Sequence, residues 1–104
     1  MRVFTASASG STVDVAAGHL FAVELAENPT TGYRWEFFPD PGVEIVSSSY
    51  AANAGGGVGG AGLRRFDFRA DEAGEFALRG ALMRSWLGES SSIERFEMAV
   101  RVAR

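Results

Sequence analysis

Short apolar segments of alternating polarity, each closed off by glycine, proline, serine or asparagine, recur along this chain, and none shows the three-to-four spacing of an amphipathic helix of normal length. The last segment is the clearest: Phe96, Met98, Val100 and Val102 fall on one face while Arg95, Glu97 and Arg101 fall on the other. This period of two is that of a half-buried strand. Phe66 and Phe68 alternate with Arg65, Asp67 and Arg69 in the same way, so their rings belong to a core. Between Phe76 and Met83 both faces are apolar, as in a central strand, and Gly80 marks a bulge or a close approach. Strands are expected near residues 2–7, 11–15, 19–26, 33–38, 43–50, 63–70, 75–84 and 93–103. With 104 residues there is room for one domain and one core, spanning 1–104. The fold class is all-β: seven or eight short strands in an immunoglobulin-like antiparallel β-sandwich, with Trp35 in its core.

Composition removes several functions. Without cysteine there is no disulfide framework, thiolate nucleophile or cysteine zinc site, and the scattered carboxylates show no metal-ligand clustering, so neither metal nor cofactor is expected. A net charge of -3 without a basic block offers no nucleic-acid footprint; Arg64-Arg65 is the densest basic pair and reads as a solvated strand face. No run approaches the ~20 apolar residues that cross a bilayer. Residues 1–4, Met-Arg-Val-Phe, lead into Thr, Ser and Gly where a signal peptide needs an apolar stretch. The chain as written reads as cytoplasmic, or as periplasmic or secreted if a leader has been removed. His19, the single histidine, has no neighbouring serine and aspartate arrangement for hydrolysis and reads as a surface residue, so no catalytic residue is assigned.

Three stretches break the strand pattern. The first is Asn28-Pro29-Thr30-Thr31-Gly32-Tyr33, where Pro29 fixes its own φ, biases Asn28 toward extended geometry, and Gly32 supplies a turn. A loop stiffened in advance loses little entropy on docking. The second, residues 55–62, is glycine-rich, and the third runs from Arg84 to Ser92 and carries Trp86, a large ring with no evident core face. Two strands separate the first stretch from the second, and two the second from the third. An even count returns the chain to the same end, so all three are expected side by side at one tip.

In that order the three stretches resemble the signatures of the chagasin family of cysteine-protease inhibitors: an NPTTGY-type loop at residues 28–33, a GxGG-type loop at Gly57-Val58-Gly59-Gly60, and an RPWxG-type loop at Arg84-Ser85-Trp86-Leu87-Gly88. Glu94-Arg95-Phe96 at the start of the last strand is also similar, and the likeness spans roughly residues 19 to 103. There are two departures. Ser85 stands where the family has proline, which frees a backbone torsion, and the glycine stretch offers more than one register for its motif. The resemblance implies a monomer that inhibits papain-like cysteine proteases reversibly, non-covalently and in competition with substrate, by plugging the active-site cleft with three adjacent loops. It places Asn28, Pro29, Thr30, Thr31, Gly32 and Tyr33 at the centre of the cleft, Gly57, Gly59 and Gly60 on one wall, and Arg84, Ser85 and Trp86 on the other. The alternative is a non-inhibitory immunoglobulin-like module that binds another protein or a carbohydrate through the same tip.

Overall fold

The computed structural model describes residues 1–52 and 62–104. Among the described residues, eight strands form two four-stranded sheets. They are β1 (Arg2–Phe4), β2 (Thr12–Ala16), β3 (Phe21–Glu27), β4 (Arg34–Pro39), β5 (Val43–Ala52), β6 (Gly62–Ala70), β7 (Gly74–Met83) and β8 (Glu94–Ala103). One sheet has the order β1-β3-β6-β5 and the other β2-β8-β7-β4. The two face each other as an immunoglobulin-like sandwich.

Period-two patterning places the core. Phe21, Val23 and Leu25 of β3 and Phe66 and Phe68 of β6 project from one sheet. Trp35 and Phe37 of β4, Leu78 of β7, and Phe96, Met98, Val100 and Val102 of β8 project from the other, and all are buried. Phe37 is the keystone: its ring centroid lies 4.8 Å from Phe66, 5.3 Å from Phe68 and 5.8 Å from Phe96, the tilted and edge-on contacts that aromatic quadrupoles favour. Gly80, opposite Phe37 in the ladder, serves close packing and not a bulge, because a Cβ there would stand 2.9 Å from Phe37 Cζ and the β7–β8 register runs through it without a shift.

Two details differ from expectation. The pairings β1–β3 and β2–β8 run parallel, the remaining ones antiparallel. Alternation of polarity is the same in either direction, so strand sense is invisible to it. The first strand also ends at Phe4, and Ala6–Ala8 form a 3-10 turn that lets the chain leave β1 in one sheet for β2 in the other.

The register fixes which loops meet. At one pole Glu27 lies opposite Gly62, Gly62 opposite Ala52, Arg34 opposite Met83, and Leu82 opposite Glu94. Both ends of loops 28–33 and 84–92 therefore emerge at that pole, together with Ala52 and Gly62, which flank the glycine-rich segment. The expected contacts Gly57, Gly59 and Gly60 lie outside the described residues.

Candidate functional site: the loop tip

Loop 28–33 is closed by its own hydrogen bonds. Asn28 Oδ1 accepts from the Thr30 backbone N–H at 3.1 Å and from Thr30 Oγ1 at 2.7 Å, so Asn28 caps the 3-10 turn Pro29–Thr31. Pro29 occupies the first turn position, where its missing N–H is not needed. Thr31 Oγ1 donates to Asn28 O at 2.8 Å and accepts from Tyr33 N at 3.2 Å. Gly32 then reverses the chain at φ +80°, a left-handed conformation costly for residues with a Cβ. Both threonine hydroxyls are thus committed to the loop's shape, while Thr30 and Thr31 themselves remain exposed.

Loop 84–92 is two consecutive 3-10 turns, Ser85–Leu87 and Glu89–Ser91. Ser91 ties them down: its Oγ accepts from Arg84 N at 3.0 Å and lies within donating distance of Gly88 O, at 2.7 Å, and of Arg84 O, at 3.2 Å. The second turn packs against β7. Ser85 takes the first position of its turn and Arg84, at φ -88° and ψ 111°, is extended. Both conformations suit a proline at position 85. The loop holds its form through Ser91 with serine there instead.

The two loops touch. The Arg84 guanidinium stacks on the Tyr33 ring, Cζ 4.6 Å from its centroid, and Arg84 Nη2 donates to Thr31 O at 3.5 Å. A Cβ built on Gly32 would sit 3.2 Å from Trp86 Cη2, so the indole lies across the glycine. Trp86 is nevertheless 68 % exposed, and Leu87 and Ile93 near it are exposed as well. The structure thus brings together Asn28, Pro29, Thr30, Thr31, Gly32, Tyr33, Arg84, Ser85 and Trp86 at one edge of this pole.

Beneath this edge lies a charged pair that the sequence reading missed. Arg64 is not on a solvated strand face: its Nε and Nη2 donate to Glu27 Oε2 at 3.1 and 2.8 Å, and the side chains are 12 % and 0 % exposed. Glu27 Oε1 accepts from Trp35 N at 2.8 Å, and Glu27 O from Tyr50 Oη at 3.3 Å. The signal was present in the alternation. Glu27 continues the inward face of Phe21, Val23 and Leu25, and Arg64 that of Phe66 and Phe68. Opposite charges at the ends of two inward faces are a buried ion pair in waiting. Arg65, by contrast, does lie on the outer face, bonded to Asp67 at 2.9 Å and Glu24 at 3.3 Å. His19 is exposed, at the pole remote from the loops.

A recess of about 580 Å³ opens at that remote pole, lined among others by Arg2, Asp14, His19, Phe21 and Arg104. It shares no residue with the tip. Among the described residues no three His, Asp or Glu side chains converge as a metal site would require, and no helix is long and apolar enough to cross a membrane.

The pattern of the family described as Chagasin family peptidase inhibitor I42 matches residues 14–100. The chain is 31 % identical over 103 residues to chagasin from Trypanosoma cruzi, covering 93 % of this chain and 94 % of that protein. Its fold is similar to that of the cysteine protease inhibitor EhICP2 from Entamoeba histolytica, with a TM-score of 0.82 at 16 % identity over 98 % of this chain and 94 % of that one. The solution structure of amebosin aligns with a TM-score of 0.80 at 25 % identity over 98 % and 97 % of the two chains. PbICP-C, solved in complex with falcipain-2, aligns with a TM-score of 0.67 at 13 % identity over 99 % and 100 %. With a family match over most of its length and a relative above 30 % identity along nearly the whole chain, this protein belongs to the chagasin family of peptidase inhibitors.

Proposed function

We propose that the chain is a reversible, non-covalent, competitive inhibitor of papain-like cysteine proteases and acts by occlusion, with loops 28–33 and 84–92 entering the active-site cleft as one preassembled edge. The observation that carries this reading is the direct packing of the two loops, Trp86 over Gly32 and Arg84 over Tyr33, in the unbound protein. Side chains already held in one geometry bind without a large ordering cost. Thr31 and Gly32 form the leading edge, where the absent side chain of Gly32 admits close backbone approach to a cleft. Trp86 presents an exposed ring with an N–H as an anchor. Two relatives fit the reading in their own right, one described as a cysteine protease inhibitor and one solved with falcipain-2. Gly57, Gly59 and Gly60 complete the wedge on the opposite wall in this proposal.

Titration of papain activity with the protein tests it. Inhibition is expected at one-to-one stoichiometry, raising the apparent KM without changing kcat, and the inhibitor is expected back uncleaved by mass spectrometry. Thr31→Trp should lose most of the inhibition, since a bulky ring at the leading edge keeps the loop from seating. Absence of inhibition by the wild-type chain, with binding of another protein or a carbohydrate through Trp86, would establish the non-inhibitory module instead.

A further inference from the structure

The stems of loop 28–33 belong to different sheets: β3 pairs with β1 and β6, β4 with β7, and no backbone ladder joins β3 to β4. In a hairpin the ladder sets the distance between the stems and hence the aim of the loop. Here that constraint is missing, yet the loop is the leading edge of the proposed wedge. Two bonds span the gap. Glu27 Oε1 accepts from the backbone N–H of Trp35 at 2.8 Å, and Trp35 Nε1 donates to Ala26 O at 2.9 Å.

We infer that Glu27 is a positioning residue whose carboxylate replaces the absent ladder, clamping the base of loop 28–33 across the two sheets, with Arg64 fixing the carboxylate in its rotamer. The reading rests on the tip being the inhibitory edge, but the clamp itself is a structural claim. Three features support it. Glu27 is the one buried charged residue among those described, and a buried carboxylate is costly unless its partners are well placed. Its two oxygens divide the work, Oε1 facing β4 and Oε2 facing Arg64 on β6. Its carbonyl takes the Tyr50 hydroxyl of β5, while the Arg64 guanidinium lies 5.2 Å from the Tyr50 ring, so the node also holds the strands that flank the glycine-rich segment.

A pair of double variants separates clamping from charge pairing. Glu27→Gln with Arg64→Met removes both charges but leaves an amide oxygen for the Trp35 N–H; Glu27→Met with Arg64→Met fills the same space and removes that acceptor. Amide exchange at Thr30–Tyr33 and inhibition of papain are measured on each, with Tm as the control for folding. The Gln/Met protein should match the wild type in both readouts. The Met/Met protein should exchange faster in the loop by about tenfold, the scale of one buried hydrogen bond, and inhibit more weakly by a similar factor. Equal loop exchange in the two double variants would overturn the clamp. Because exchange is read without any protease, failure of the clamp is distinguishable from failure of the inhibitor reading. Should Met/Met not fold, exchange in the wild type decides: the Trp35 N–H, held by Glu27 Oε1, must exchange no faster than the amides of Thr30–Tyr33, and a faster Trp35 amide would show the clamp opening without loosening the loop and overturn the inference.

Discussion

Gly32→Ala isolates what the shape of the leading loop is worth, because Gly18 provides a matched control. The two glycines share a left-handed backbone, at φ +80° and +78°, but differ in surroundings: a Cβ at Gly32 would lie 3.2 Å from the Trp86 ring, whereas a Cβ at Gly18 would meet nothing within 4 Å. Gly18 lies at the remote pole, its N–H donating to Ala70 O. The backbone penalty for a Cβ in this conformation is ~1–2 kcal/mol, offset by ~0.4–1 kcal/mol from the reduced freedom of the unfolded chain. Each variant should therefore lose about 1 kcal/mol, or ~4–8 °C in Tm for a domain of this size. They part company in binding. At Gly32 the strain is relieved by rotating the turn and displacing the indole, and the wedge must be rebuilt on docking, which weakens inhibition by ~1–2 kcal/mol, about 5–30-fold in the inhibition constant. Gly18→Ala should leave the inhibition constant unchanged. Thermal melts and papain titrations of both variants provide the comparison. Matching inhibition constants for the two, at matching Tm losses, would refute the idea that the conformation of Gly32 sets the wedge.

Three further outcomes are expected. Trp86→Ala should weaken inhibition by ~1–3 kcal/mol while moving Tm little, since the ring is largely solvated in the free protein; a large fall in Tm would make the ring structural. Ser85→Pro should raise stability by ~0.4–1 kcal/mol in a denaturant titration, as position 85 opens a 3-10 turn after an extended Arg84, and a loss of stability would show that its N–H is needed. Asp67 is held below the usual carboxylate range by the Ser47 hydroxyl at 2.7 Å and then by Arg65. A carboxylate with a depressed folded pKa stabilises the fold above its unfolded pKa and loses that contribution as pH falls through the folded value. Asp67→Asn should therefore flatten the acid limb of the stability profile, and an unchanged limb would exclude this group.

The sandwich was legible because burial imposes a period of two, which Phe66/Phe68 and the 96–102 run display openly. The tip was legible for a different reason: Pro29 and Gly32 have narrow backbone preferences, and an even number of strands between loops places them at one pole. Strand direction was not, since parallel and antiparallel pairs present the same alternation. Nor was the role of Arg64, because a guanidinium next to a second arginine looks solvated until its phase is compared with Phe66. Ser91 escaped notice as one serine among three, for nothing local distinguishes the hydroxyl that meets Arg84 N from its neighbours.

Amide exchange on the complex with papain whose active-site thiol has been blocked by a small alkyl group tests the central claim most directly. Protection is expected at residues 30–33 and 84–88, with the remote pole around Gly18 and His19 exchanging as in the free protein. Tight binding with protection at the remote pole and none at Thr31, Gly32 or Trp86 would contradict a wedge built from these loops.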